Sequence, residues 1–263
     1  MAPQENNHYI EFRHVYKTFD KPVLVDTNFY VDAGQTVAII GRSGVGKSVT
    51  LHHIMGFIKP DSGRVIVRFQ DITDMTESEL RQVRKKVTMV FQSGALFDSL
   101  TVAENIAFSL ELRDDYDEQN KEEIIEGLLD LVGLQGHADD YPSDLSTGHR
   151  RAVAIARALA ADPECILYDE PTTMVDPIMS EHLGNLMLRL KQGTGLTSVV
   201  VTHDLDLMRK VAENVVFLYQ GQVIYFGPVR DLEKADHPHI QAFLAMDRVE
   251  LEGEPIAVGE KEA

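Results

Sequence analysis

Thr36-Val37-Ala38-Ile39-Ile40-Gly41-Arg42-Ser43-Gly44-Val45-Gly46-Lys47-Ser48 is the stretch whose reading decides the fold. Its first five residues read as a buried strand that runs straight into glycines, and from Ser48 to about residue 57 the pattern turns helical. Between strand and helix, Gly41-Arg42-Ser43-Gly44-Val45-Gly46-Lys47-Ser48 satisfies the spacing of a phosphate loop. Glycines let the backbone curl so that successive N–H groups point inward at phosphate oxygens, and the N-terminus of the following helix adds its positive end. Lys47 is expected against the β- and γ-phosphates of ATP, and the Ser48 hydroxyl on Mg²⁺. With three fixed positions and one two-way choice, a chance match arises in about one of 10⁴–10⁵ windows. A plain glycine-rich turn is the weaker reading.

A second, acidic element completes such a site. Cys165-Ile166-Leu167-Tyr168-Asp169-Glu170 is an apolar strand whose end carries two adjacent carboxylates. Asp169 is placed to hold Mg²⁺ through its water shell, and Glu170 to polarise the water that attacks the γ-phosphate. Around these motifs, residues 9–13, 28–31, 64–69, 87–91, 197–202, 215–218 and 223–226 read as strands. Thr76-Glu77-Ser78-Glu79 opens a helix over 76–86 with capping-box spacing. Residues 102–159 read mostly as helices, with turns near 133–136 and 141–144. The pattern is a parallel α/β core interrupted by a helical insert. A short amphipathic helix is expected at 237–244, and weak order from 247 onward, where the chain is acidic with scattered Gly and Pro.

The chain has 263 residues, 44 % hydrophobic and 25 % charged, the composition of a folded protein. Lys and Arg total 25 against 42 Asp and Glu, a net charge of −17, which argues against a broad nucleic-acid surface. The acidity concentrates in 111–126 and 247–263, away from the phosphate loop. ATP is a different kind of anion, held locally by backbone N–H groups, Lys47 and Mg²⁺. A single cysteine, Cys165, fits a reducing compartment. Residues 1–8 have neither the basic region nor the apolar stretch of a secretory signal. The longest apolar runs, such as 37–40 and 215–219, fall far short of the ~18 residues of a membrane span, so any membrane partner is expected to be another chain.

Leu145-Ser146-Thr147-Gly148-His149, followed by Arg150-Arg151-Ala152-Val153-Ala154-Ile155-Ala156-Arg157-Ala158-Leu159, resembles the signature motif and helix of ABC-transporter ATPases. The resemblance extends over residues 8–232 and implies further roles. Phe19 matches the aromatic that stacks on adenine, Gln92 the glutamine that contacts Mg²⁺, Asp176 the D-loop aspartate, and His203 the switch histidine beside the γ-phosphate. It also implies a phosphate-loop core with an antiparallel β subdomain and an inserted helical subdomain. The core then covers 8–92 and 161–232, the insert about 93–160, and 233–263 is a partly flexible C-terminal extension. Two copies are expected to sandwich two ATP molecules as a homodimer, with Ser146 and Gly148 of one reaching the γ-phosphate held by the other.

Within that family, Phe91-Gln92-Ser93-Gly94-Ala95-Leu96-Phe97 closely resembles the glutamine loop of ATPases serving MCE-type lipid transporters, the Mla phospholipid system among them. The expected function is therefore ATP hydrolysis that energises phospholipid transport between bacterial membranes. The implied partners are an integral-membrane permease, an MCE-domain protein and a STAS-domain regulator, on the cytoplasmic side of the inner membrane. The alternative is the ATPase of an importer for a polar solute. Two positions depart from the family signature: Thr147 stands where glycine is usual, and His149 where Gln or another long side chain is usual. A β-branched residue at positive φ costs at least ~1–2 kcal/mol, so Thr147 is expected to adopt an ordinary φ.

Overall fold

A computed structural model describes residues 7–252, apart from 112, 114 and 115. Two sheets and their helices carry the chain. The strands β1 (His8–Thr18), β2 (Pro22–Asp32), β4 (Ser62–Val67) and β5 (Gln70–Asp71) form an antiparallel sheet in the order β2-β1-β4-β5. Six more form the second sheet: β3 (Thr36–Ile40), β6 (Val87–Val90), β7 (Cys165–Asp169), β8 (Thr197–Val201), β9 (Asn214–Tyr219) and β10 (Gln222–Pro228). Its order is β10-β9-β3-β8-β7-β6, parallel except for the edge strand β10. Parallel strands must be covered on both faces, which explains why β3, β7 and β8 are buried along their whole length.

The helices supply that cover. One face of the parallel sheet meets α1 (Lys47–Ile54) and the antiparallel sheet, with Leu51 and Ile54 packed among Phe12, Val65, Leu167 and Val199. Alternate residues of the same strands, Ile166, Tyr168 and Val200, face the other way. They join a core shared with α3 (Val102–Leu110), α4 (Lys121–Val132), α5 (Thr147–Ala160) and α6 (Pro177–Thr194). A third cluster unites Ala38, Ile40, Val215 and Phe217 with α7 (Leu205–Val211) and α8 (Pro238–Glu252). The expected combination of an antiparallel β part, a phosphate-loop core and a helical part is present.

Most differences from the sequence reading lie at element ends. The β4 strand stops at Val67 because Arg68 and Phe69 are both left-handed, with φ of 52° and 62°, and turn the chain back into β5. The β1 and β2 strands are much longer than 9–13 and 28–31. Several register shifts interrupt their pairing, which blurs the two-residue alternation in the sequence. Thr76 caps α2 (Glu77–Arg84) with both bonds of a capping box, as its spacing indicates. The α8 helix continues to Glu252, past the start of the tail expected to be weakly ordered, and residues 253–263 of that tail lie outside the described residues. Ile240 and Leu244 anchor α8 in the third cluster, which is what lets a polar segment remain helical.

His53 is buried in α1 at 1 % exposure, and its Nδ1–H donates to the Val49 carbonyl at 2.7 Å. That tautomer leaves Nε2 an acceptor without a partner. Burial holds the imidazole pKa below its ordinary value. Below about pH 6.5 the unfolded chain takes up a proton that the folded chain refuses, so stability falls with pH by up to ~1.4 kcal/mol per unit from this group. Urea unfolding at pH 7.5 and 5.0 is expected to show a smaller acid loss for His53→Leu than for the wild type. Equal losses would mean that His53 carries no such linkage.

Candidate nucleotide site

The parallel register brings three distant parts of the chain to one edge. Ile39 of β3 and Asp169 of β7 both lie opposite Val201 of β8. The residues that follow, Gly41, Glu170 and Thr202-His203, therefore leave the sheet at one level, outside the carboxyl ends of its strands. There they line a cleft of about 850 Å³ with Val23, Gly41, Arg42, Ser43, Gly44, Gly46, Lys47, Ser48, Val49, Gln92, Glu170, Thr173, His203 and Phe243.

The loop from 41 to 46 can only be built with glycine at its tight points. Gly46, the N-cap of α1, has φ of 111°, and a Cβ there would lie 2.8 Å from the Val23 carbonyl oxygen. The Lys47 side chain follows at the first turn, 7 % exposed. Its ammonium donates to the carbonyls of Gly41 at 2.9 Å and Arg42 at 3.3 Å, and lies 3.5 Å from Glu170 Oε1. Next to it the Ser48 hydroxyl donates to Asp169 Oδ1 at 2.9 Å. Burial raises the Asp169 pKa, and the Ser48 bond opposes that rise. A cation beside this carboxylate would relieve the cost of burying it. Ser48, Asp169 and Gln92 offer only oxygen donors for a metal, apart from the Gln92 amide nitrogen, and a hard oxygen set suits Mg²⁺.

Glu170 is held at a strained position. Its φ of 48° lies in the left-handed region, at a cost of order 1 kcal/mol, while its N–H donates to Val201 at 2.8 Å. Its Oε2 accepts from His203 Nδ1 at 2.8 Å, from the His203 N–H at 3.3 Å and from the Thr173 hydroxyl at 3.3 Å. One carboxylate oxygen is thus fixed by three donors. The other, Oε1, faces Lys47.

Several expected residues lie elsewhere. Phe19 sits on the β1–β2 turn, 53 % exposed beneath the Lys17 ammonium, and does not line the cleft. Neither do Ser146 and Gly148. Ser146 is the N-cap of α5, accepting from the His149 N–H, and Gly148 is buried in the first turn of that helix. Within one chain, then, the signature and the phosphate loop are apart. Asp176 caps α6, its carboxylate accepting from the Met179 N–H at 3.0 Å.

Sequence reasoning missed two features. Phe243 of α8 reaches the cleft, packed edge-on against Phe217 at 5.1 Å; nothing local in the sequence ties that helix to a loop so far upstream. The glutamine loop is also fastened to α5 by two arginines. Arg151 donates to the Phe91 carbonyl at 3.0 Å, and Arg157 to the carbonyls of Ala95 at 2.8 Å and Gly94 at 3.1 Å. Burial lowers the pKa of both guanidinium groups. Beyond them Phe97 of the loop and Phe108 of α3 form an edge-to-face pair, both more than 40 % exposed.

The ABC transporter family model matches residues 24–173. The chain is 37 % identical over 244 residues to methionine import ATP-binding protein MetN 1 of Pseudomonas fluorescens, spanning 90 % of this chain and 73 % of that protein. It is 40 % identical over 228 residues to MetN 2 of Rhodococcus jostii, spanning 85 % and 67 %. Among solved structures, a dimeric post-hydrolysis state of the ATP-binding cassette MJ0796 bound to ADP and phosphate matches with a TM-score of 0.78. Its identity is 32 %, over 84 % of this chain and 99 % of that one.

Thr147 begins α5 with a helical backbone and is absent from the left-handed residues, so its β-branch is not strained. Its hydroxyl accepts from Arg150 at 3.2 Å. Thr147→Gly is expected to leave steady-state ATP hydrolysis within about twofold and to cost at most ~1 kcal/mol in a melting experiment. A rate gain of tenfold or more would show that Thr147 obstructs the signature.

Proposed function

The chain belongs to the ABC transporter family and is an ATP-hydrolysing transporter subunit; from that premise we propose that it powers an importer of a small polar solute. The observation that carries the ATP-hydrolysis reading is the cleft itself, where a phosphate loop, a strand-end carboxylate and a histidine meet at one sheet edge. The cargo reading is supported by relatives named as methionine importers, which favour import of a polar solute over the lipid transport expected from the glutamine loop.

In the proposed mechanism the N–H groups of 41–48 and the Lys47 ammonium hold the β- and γ-phosphates. Ser48, Asp169 and Gln92 would hold Mg²⁺, which would supply positive charge against the negative charge that develops on the phosphates. Glu170 takes a proton from the attacking water while oxygen bonds to the γ-phosphorus and ADP leaves. His203 turns the Glu170 carboxylate through its 2.8 Å bond, and its own imidazole stands beside the γ-phosphate. Phe19 meets the adenine ring. Ser146 and Gly148 complete the site from a second copy, a reading supported by the dimeric MJ0796 cassette and by the fact that neither lines the cleft of its own chain.

No helix among the described residues is long and apolar enough to cross a membrane. In the proposed complex this subunit sits on the cytoplasmic face, docked on a separate permease through the glutamine loop and the Phe97–Phe108 pair. A second reading, lipid transport with an MCE-domain protein and a STAS-domain regulator, rests on one observation: residues 91–97 resemble that subfamily's loop.

Glu170→Gln is expected to bind ATP with near wild-type affinity and form a stable dimer, with turnover reduced at least ~10²-fold. Normal steady-state hydrolysis in that variant would sink the assigned base. For the cargo, the permease complex in proteoliposomes is expected to accumulate radiolabelled methionine or a related polar solute when ATP is supplied. ATP-dependent phospholipid movement without solute uptake would overturn the importer reading in favour of the lipid one.

A further inference from the structure

Gly148, besides the second-copy role proposed above, is constrained from within its own chain. It lies inside the first turn of α5 with no left-handed φ, so the backbone does not require glycine, and glycine in a helix costs about 0.5–1 kcal/mol against alanine. The space around it gives the reason. A Cβ on Gly148 would lie 2.9 Å from the Met179 Cβ, 3.0 Å from its Cγ and 3.0 Å from its Cε, all in the same chain. The methionine side chain of α6 folds over the signature turn and fills the volume that a side chain at 148 would take.

We infer that Met179 is a positioning residue that seats the signature turn and mechanically ties it to the catalytic strand of its own chain. Glu170 ends the strand at the cleft, Asp176 caps α6, and the capped N–H is that of Met179 itself. The segment from 170 to 179 therefore links the carboxylate that works on this chain's own nucleotide to the turn that presents Ser146 outward. It has two fixed ends: Thr173 is bonded to Glu170, and Met179 is wedged over Gly148. Met174 between them is 89 % exposed with φ of 61°, but its neighbours are held, Val175 by packing on the helical core and buried Thr172 by a 3.0 Å bond to Asp204. A shift of Glu170 on binding or hydrolysis moves α6, and α6 moves the signature turn, because packed side chains without voids pass displacement on. Methionine suits the task, being unbranched and able to follow a small rotation without losing contact. The functional consequence rests on the two-copy reading above, in which the signature of one chain serves the nucleotide of the other.

The test uses full-length Gly148→Ala, Met179→Ala, Met179→Leu and the Gly148→Ala/Met179→Ala pair. Thermal melting reads the seat and ATP titration of hydrolysis reads the coupling. Gly148→Ala is expected to lower Tm, and adding Met179→Ala to recover part of that loss, because the contacts to Cγ and Cε are removed while the one to Cβ stays. Met179→Ala alone is expected to reduce kcat at least fivefold and bring the Hill coefficient close to one, with KM changed less than twofold. Met179→Leu restores cooperativity. No recovery of Tm in the pair, or a cooperative wild type whose Hill coefficient is unmoved in Met179→Ala, overturns the proposal. A wild type that hydrolyses ATP without cooperativity as a monomer overturns the two-copy reading instead, and the coupling falls with it.

Discussion

The register of β3, β7 and β8 is the constraint on which the rest of the molecule depends. Because Ile39 and Asp169 both stand opposite Val201, the three strands end together, and Lys47, Ser48, Glu170 and His203 converge although as many as 156 positions separate them along the chain. A one-residue slip would turn each strand's inward side chains to the other face and part the Ser48–Asp169 bond. The alternating burial of Leu167 toward α1 and of Ile166 and Tyr168 toward α5 penalises such a slip on both faces. Packing thus fixes the chemistry: the sheet is specified by its core, and the cleft follows from where its strands stop.

On that frame the polar groups form a chain of contacts rather than a scatter of separate residues. Lys47 faces Glu170, Glu170 is gripped by His203 and Thr173, and Ser48 is bonded to Asp169. The strain at Glu170 is sustained by the Val201 bond and these three donors. A second set of contacts leads outward. Arg151 and Arg157 fasten the glutamine loop to α5, so the loop that lines the cleft and the helix that carries the signature share one mechanical link.

Much of this was legible in the sequence, for physical reasons. The phosphate loop and the Asp169-Glu170 strand end are local patterns whose chemistry needs particular residues at particular spacings. The Thr76 capping box is equally local. What could not be read depends on tertiary approach. The Phe243 contact, the arginine bonds to loop carbonyls, and the wedge of Met179 over Gly148 each join elements whose proximity no short window encodes. Phe19, matched by family pattern, lies exposed on its turn and does not line the cleft of the single chain. The cargo is the least legible feature, since the residues that bind and cleave ATP carry no imprint of what a partner moves. The loop resemblance points to lipids, whereas a relative matched over 90 % of this chain and 73 % of its own length is named a methionine import protein.

The account's central claim is that each complete site is built from two chains. A mixing experiment tests it most directly, with Lys47→Ala chains disabled at the phosphate loop and Ser146→Arg chains disabled at the signature. Each alone is expected to be nearly inactive. A mixed dimer regains one intact site, formed by the phosphate loop of the second chain and the signature of the first, so the mixture is expected to hydrolyse ATP severalfold faster than the two preparations summed. A rate equal to that sum, or full activity of Ser146→Arg by itself, would contradict the claim.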